Sequence, residues 1–239
     1  ANFDTLTGLP NRRMLRDRLE LEIKRVDRQG QQMAILFVDL DHFKEVNDTL
    51  GHHMGDILLV ESARRIGACV RDTDTVARMG GDEFIIILTE LSETKVIDGL
   101  AQAILDVLAK PFQLETEKAF VTASIGITLY PHDATAMEAL IQSADQAMYA
   151  AKNTGRNRFC YFTQSMQQAA QSRLRMTNDL RGALARYQDA SRRAPRDVEI
   201  LLRLALVAER LGERDLYAAA WSDAIQLDER QELDLTELF

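Results

Sequence analysis

Acidic residues recur at two separated points of the chain, each beside an apolar run. Ala34-Ile35-Leu36-Phe37-Val38 leads into Asp39-Leu40-Asp41, and Gly80-Gly81-Asp82-Glu83 leads into Phe84-Ile85-Ile86-Ile87-Leu88. Short apolar runs bounded by turn residues read as buried strands. A strand ending in Asp39 and a hairpin presenting Asp82 would set two carboxylates side by side. Both are ionised at neutral pH, and they repel unless a divalent cation lies between them. Oxygen-only ligands suit Mg²⁺, which takes one or two carboxylates plus substrate phosphates. Two such ions about 3.5–4 Å apart can activate a sugar hydroxyl and stabilise a leaving pyrophosphate. Taken alone, the hairpin is equally a solvated acidic turn.

The neighbouring residues extend this chemistry. Gly80 and Gly81 both tolerate positive φ, so they are expected to form the turn joining Thr75-Val76-Ala77 to the following strand. Asp82 and Glu83 are adjacent, and adjacent strand residues point to opposite faces, so they are expected to do different work. Asp41 is read as the N-cap of the next helix. Lys44, Lys152 and Arg156 are the cations that could face phosphates, or else they are solvated surface charge, the common fate of lysine. Asp56 could accept from the N1–H and N2–H₂ of guanine, and Asn47 could bond the base edge. Either is equally a cap or turn residue beside Gly51 and Gly55.

The elements that must position these groups follow from periodicity. Met14, Leu15, Leu19, Ile23 and Val26 recur at helical spacing to about Arg28, with Pro10 suited to the first turn and Gly30 ending the helix. Short helices are predicted from His42 to Leu50 and from Asp56 to Val70. A further one runs from Val96 to Leu108 and stops near Pro111. A long strand is expected over 119–130, containing Ser124-Ile125-Gly126, then a helix from Met137 to Met148 and a last strand over 158–162. Interleaved strands and helices with one hairpin give an α+β fold, a mixed central sheet with helices over a face.

Composition bounds the function. The 239 residues are 46% hydrophobic and 28% charged, ordinary for a protein with a real core. A net charge of −8 argues against nucleic acid or an anionic membrane as main partner. No apolar run of about 18 residues exists to span a bilayer. Cys69 and Cys160, in no metal-like spacing, read as reduced core residues of a cytoplasmic protein. The chain opens on Ala1 directly before a motif, which reads as the start of an excised piece.

Residues 4–162 resemble the GGDEF domain of the diguanylate cyclase family. The likeness rests on six motifs in order: residues 4–13 (Asp-Thr-Leu-Thr-Gly-Leu-Pro-Asn-Arg-Arg), 38–48 (Val-Asp-Leu-Asp-His-Phe-Lys-Glu-Val-Asn-Asp), 51–56 (Gly-His-His-Met-Gly-Asp), 78–84 (Arg-Met-Gly-Gly-Asp-Glu-Phe), 124–127 (Ser-Ile-Gly-Ile) and 144–157 (Ala-Asp-Gln-Ala-Met-Tyr-Ala-Ala-Lys-Asn-Thr-Gly-Arg-Asn). The resemblance implies a ferredoxin-like nucleotidyl-cyclase (palm) core with flanking helices. It also implies condensation of two GTP to cyclic di-GMP with release of two pyrophosphates. Asp39, the Leu40 carbonyl and Asp82 would hold Mg²⁺, with Mn²⁺ as a substitute. Asp82, Glu83 and Lys44 would be catalytic. Phe43, Lys44, Asn47, Asp56, Lys152 and Arg156 would bind substrate. The working unit would be a two-fold dimer, and Arg71 and Asp74, in Arg-x-x-Asp spacing, would bind product as an inhibitor. The setting implied is the bacterial cytoplasm, as part of a larger sensor. Intact acids and Lys44 weigh against the alternative, a catalytically silent module binding GTP or cyclic di-GMP.

The tail differs. All basic residues from 163 on are Arg, and no strand-like segment occurs. Residues 163–177 resemble a linker helix and 178–239 a small all-α segment. Ala183-Leu184, Tyr187 and Asp189-Ala190 recur 34 positions later as Tyr217-Ala218, Trp221 and Asp223-Ala224. That is the period of tetratricopeptide helix pairs. Glu229 stands where that repeat usually has Pro. One full repeat and part of another are too few to be stable alone, so the segment is expected to pack on another surface. A protein partner is one such surface, and a scaffold role is a further alternative.

Overall fold

The computed structural model describes residues 2–91 and 94–231, and the chain divides at Gln167/Gln168 into two compact units. In chain order the first unit contains α1 (Arg12–Gln29), β1 (Met33–Leu40), α2 (Phe43–Leu50), α3 (His52–Gly67), β2 (Thr75–Gly80) and β3 (Glu83–Leu88). It continues with α4 (Thr94–Leu108), β4 (Phe112–Leu114), β5 (Glu117–Ala119), β6 (Ala123–Tyr130), α5 (Met137–Asn153) and β7 (Arg158–Tyr161). Helix α6 (Gln164–Arg193) runs across the division, and α7 (Val198–Leu211) and α8 (Arg214–Gln231) follow.

The main sheet has the order β2-β3-β1-β6-β7. Its first three pairings are antiparallel and the last, β6 with β7, is parallel. The first four strands thus have the split βαβ order of a ferredoxin-like core, and the α+β expectation is borne out. All eight residues of β1 are buried, because helices cover both faces rather than one. Ala34, Leu36, Val38 and Leu40 pack with Leu58, Ile66, Ile97 and Ile104 of α3 and α4. Ile35 and Phe37 pack with Leu15, Leu19, Leu140 and Met148 of α1 and α5. Period-two alternation along β1 sends successive side chains to the two layers, so Asp39 falls on the α1/α5 side.

Several local expectations are corrected. Pro10 lies outside α1, where Asn11 is the N-cap and its side chain accepts from the Arg13 and Met14 N–H groups. Asp41 does not cap α2; His42 holds that position at φ 61° with no side-chain cap bond. The expected strand over 119–130 holds only from Ala123; Ala119 is instead the last residue of β5, which pairs with β4 in a separate two-stranded sheet. Three-residue strands are too short to leave a periodic signal. This small sheet is held from outside by Arg65, which donates to the Val107, Lys110 and Pro111 carbonyls (2.9, 2.7 and 2.8 Å) and lies 3.8 Å over the Phe112 ring.

In the second unit, Leu184 and Tyr187 of α6 pack with Leu204 and Ala205 of α7 and with Leu216, Tyr217, Ala220 and Trp221 of α8. Tyr217 and Trp221 stack at 6.2 Å. Asp197 caps the start of α7 and Gly212, at φ 76°, ends it. The side chains of Leu227, Asp228 and Glu229 lie outside the described residues. Among the described residues, no helix is long and apolar enough to cross a membrane.

Gly126 fixes how closely α5 approaches the sheet. A Cβ there would lie 1.9 Å from the Ala144 carbonyl oxygen and 2.2 Å from the Met148 nitrogen, both backbone atoms. Backbone cannot yield as a side chain can, so Gly126→Ala is expected to push α5 off β6. Overpacking of this kind costs about 1–3 kcal/mol or more. A fall in the urea midpoint of the variant checks it; an unchanged midpoint would contradict the packing.

Candidate active site

The site is built first by backbone pairing. In the β1–β3 register Asp39 stands opposite Glu83. One step further along, the Leu40 N–H donates to the Asp82 carbonyl at 3.3 Å. Directly opposed residues share a face of the sheet, so Asp39 and Glu83 both face α1 and α5. The hairpin turn is not Gly80-Gly81 as expected. Gly80 pairs with Glu83 after a register shift, leaving Gly81 and Asp82 as the turn. Gly80 and Gly81 have φ of 137° and 53°, which explains both glycines. Asp82 therefore lies in the turn, and strand alternation does not govern its direction.

The turn is stapled from the chain's first motif. Arg78 donates through Nε and Nη2 to the Gly81 carbonyl (3.0 and 2.7 Å) and through Nη1 to Asp4 (3.0 Å). Asp4 also accepts from the Thr7 N–H and hydroxyl (2.9 and 2.7 Å). Burial pushes its pKa up, but these hydrogen bonds and Arg78 outweigh it and leave the pKa lowered. Asp4 has no place among the expected site residues. The Asp-x-x-Thr spacing that closes its loop was the available signal.

Asp39 is 5% exposed. Its Oδ1 lies 2.6 Å from Lys152 Nζ in an ion pair, but off the axis of a hydrogen bond, and has no hydrogen-bond partner. Desolvation raises the Asp39 pKa to about 6 against the pull of Lys152, with Asp82 and Glu83 adding repulsion. Glu83 is raised as well, by burial first and then by Asp145 of α5 and Asp82, with Arg12 and Lys152 opposing. Burial likewise raises Asp145. Arg12, Phe37, Met79, Glu83, Gln142 and Asp145 line one cavity of about 370 Å³. Asp145 and Arg12 were missed as neighbours of the acids, because only the packing of α1 and α5 on the same layer brings them there.

Asp41 turns away from α2 into the interior. It accepts from the Thr122 hydroxyl (2.7 Å), the Ser124 hydroxyl (2.8 Å) and the Asn157 N–H (3.2 Å). Arg156 Nε is 4.0 Å from its Oδ1. Lys44 is exposed on α2 and Phe43 is buried beside it. Asn47 and Asp56 come from α2 and α3, which pack together, and Gly55 decides how closely. A Cβ at Gly55 would lie 2.0 Å from Asn47 Oδ1 and 3.2 Å from Phe43 Cζ. Arg71 and Asp74 lie apart from this group, before the start of β2 rather than past its end. Six residues of strand separate the two places by about 20 Å. There the Asp74 carboxylate accepts from the Arg71 and Thr89 N–H groups (3.0 and 3.4 Å). Both residues line a cavity of about 290 Å³ with Cys69, Leu88, Thr89 and Leu100.

The donor set fits a hard divalent ion. Asp39 Oδ1 is a buried carboxylate oxygen offset by Lys152 at 2.6 Å, and Asp82 and Glu83 add negative charge beside it that a further cation would relieve. Among the described residues, no three acidic, His or Cys side chains converge enough to hold a metal alone. A hard ion bound here would need oxygens beyond these side chains, such as main-chain carbonyls or the ligand's own phosphates.

Comparison with known proteins shows the family. The family profile "Diguanylate cyclase, GGDEF domain" matches residues 1–158. The chain belongs to that family, whose members are generally dependent on a divalent metal. Among curated relatives, the bifunctional diguanylate cyclase/cyclic di-GMP phosphodiesterase MucR of Pseudomonas aeruginosa is 48% identical over 188 residues, 79% of this chain and 27% of MucR. The cyclic di-GMP phosphodiesterase NbdA of the same organism is 37% identical over 184 residues, 77% of this chain and 23% of NbdA. The chain thus spans about a quarter of the length of these relatives. The solved GGDEF domain of TpbB from P. aeruginosa superposes with a TM-score of 0.69 at 38% identity, covering 71% of this chain and 99% of that one. The GGDEF domain of DgcB from Caulobacter crescentus, in complex with c-di-GMP, gives 0.61 at 30% identity, covering 67% and 95%.

Two outcomes are expected. On the expectation that Asn47 bonds guanine, Gly55→Ala, whose Cβ would meet Asn47 Oδ1, should weaken guanine nucleotide binding about tenfold, the worth of a hydrogen bond or two. In an Asn47→Ala background it should weaken binding no further; calorimetric titration of the single and double variants reads this. The second concerns pH. The folded state holds the Asp39 proton more tightly than the unfolded chain, with a pKa of about 6 against 3.8. Metal-free stability therefore falls as pH rises through that window. Asp39→Asn, isosteric with the protonated acid, should match wild type near pH 4 and exceed it above about pH 6. Urea midpoints across pH check the sign.

Proposed function

We propose that the chain is an active diguanylate cyclase, condensing two GTP into cyclic di-GMP with release of two pyrophosphates across a two-fold dimer. The observation that carries this is the β1–β3 pairing, which sets Asp39 opposite Glu83 and Leu40 against Asp82, with Lys152 2.6 Å from Asp39.

In this reading Asp39, the Leu40 carbonyl and Asp82 would hold Mg²⁺, or Mn²⁺ in its place. Such an ion, when bound, supplies positive charge to the triphosphate and eases ionisation of the attacking 3′-hydroxyl. Glu83 faces α1 and α5 in a site that raises its pKa, which suits a group that takes a proton at neutral pH. Lys44, Lys152 and Arg156 hold phosphate oxygens. Asp56 accepts from the guanine N1–H and N2–H₂, Asn47 bonds the base edge, and Phe43 is a further substrate contact. Adenine offers the reverse pattern at that edge, so the pocket rejects ATP. Each protomer presents one GTP, and two-fold symmetry turns them head to tail. Arg71 and Asp74, beside their own cavity, bind the product and inhibit. Residues 1–162 act as the cyclase domain, 163–177 as linker and 178–239 as a tetratricopeptide-like segment for a partner or for the twin protomer. The protein works in the bacterial cytoplasm, without nucleic acid or membrane as partner of this region.

A second reading is favoured by the likeness to NbdA, a phosphodiesterase by name. Here the unit binds GTP or cyclic di-GMP without turnover. One assay separates the two. Incubation with GTP and Mg²⁺, followed by product chromatography and pyrophosphate detection, is expected to yield cyclic di-GMP. Asp82→Ala is expected to lower the rate at least about 100-fold. Nucleotide binding with no pyrophosphate release would establish the silent module instead.

A further inference from the structure

We infer that Asp41 is a positioning residue that aims Arg156 at the ligand's phosphates; this rests on the reading of Arg156 as a phosphate-holding group. The inference begins with the loop that carries Arg156. Gly155, Arg156 and Asn157 all have positive φ, at 123°, 59° and 46°. For L-residues that region costs roughly 1–2 kcal/mol each, and two successive non-glycine residues occupy it here. Such a conformation persists only where its surroundings over-determine it.

Hydrogen bonds from several directions fix this loop. The Arg156 N–H donates to the Ala151 carbonyl (3.1 Å) and the Gly155 N–H to the Lys152 carbonyl (3.4 Å), which closes the end of α5. The Arg156 carbonyl accepts from Arg158 Nε (3.1 Å). The next donor along, the Asn157 N–H, goes to Asp41 Oδ2 (3.2 Å). Asp41 cannot move to follow it. Its side chain is fully buried, and the Thr122 and Ser124 hydroxyls of the β5–β6 connection and β6 hold its two oxygens. The same carboxylate draws the Arg156 side chain, with Nε 4.0 Å from Oδ1. The guanidinium is left half-exposed, so its outer nitrogens can bond a phosphate.

The pattern is paired. Asp39 and Asp41 lie two residues apart at the end of β1, and Lys152 and Arg156 lie four apart at the end of α5. Asp39 engages Lys152 and Asp41 engages Arg156. Only an acceptor-only group serves here, because three hydrogen-bond donors and a cation converge on it. An amide at position 41 would keep one oxygen for the Asn157 N–H but would lose the charge that holds Arg156.

The test compares GTP with GMP in calorimetric titrations of the full chain. Asp41→Asn is expected to weaken GTP about tenfold, the scale of a hydrogen bond to a charged group, and to leave GMP within about twofold. In an Arg156→Ala background, Asp41→Asn is expected to have no further effect on GTP. Thr122→Val, which keeps the carboxylate but removes one of the two donors to Oδ2, should give the same selective loss on a smaller scale and serves if Asp41→Asn does not fold. Equal weakening of GTP and GMP, an undiminished effect without Arg156, or wild-type GTP affinity in Arg156→Ala would each overturn the inference. Product formation is scored separately. A chain that shows the binding pattern but makes no cyclic di-GMP sinks the cyclase reading and leaves this one standing.

Discussion

Three carboxylates held together at one end of an antiparallel strand pair are the constraint on which the rest of the first unit depends. Backbone pairing brings the main chain of Asp39, Asp82 and Glu83 to the same end of the sheet, since Asp39 stands opposite Glu83 and the Leu40 N–H donates to the Asp82 carbonyl. Their repulsion is stored where burial has removed water that would screen it. Burial first, and the neighbouring acids after it, raise the pKa values of Asp39 and Glu83. Lys152 supplies the nearest opposite charge and also sits on the helix whose contact with β6 is governed by Gly126. A packing residue with no polar atoms in its side chain therefore sets the height of the charge that balances the acids.

The supports of this arrangement come from remote parts of the chain. Asp4 and Thr7 hold Arg78, and Arg78 holds the turn containing Asp82. Thr122 and Ser124 hold Asp41, and Asp41 holds the loop after α5. Gly55 leaves room for Asn47. In each case a polar side chain whose position matters is locked by a second group that never needs to touch a ligand. Sites positioned in this way are preorganised, so little reorganisation is required when charge develops in them.

Much of the fold was legible because its signals are local. The eight buried residues of β1 and the five isoleucine- and leucine-rich positions after Glu83 announce strands, and Gly30 and Gly212 end helices as left-handed caps. The acids at 39 and 82 were legible as partners because each stands at the end of such a run. Errors occurred where two local rules competed. Asp41 precedes a helix and so reads as its cap, yet buried hydroxyl donors on β6 outcompete the helix N–H groups. Gly80-Gly81 reads as the turn, yet the register shift moves the turn one residue on. The break between β5 and β6 left no trace in a continuous β-rich stretch.

The sequence by itself determined which chemistry was available: acids suited to a hard cation, cations suited to phosphate, and six motifs in family order. It determined the strands and most helix limits, since hydrophobic period and turn residues are properties of neighbours in the chain. Only the tertiary structure decided which acid meets which cation, because those partners lie more than a hundred residues apart and are joined by strand register and helix packing. Lys152 reaches Asp39 and the Asn157 N–H reaches Asp41 across the sheet layer, and no local pattern encodes contacts of that kind.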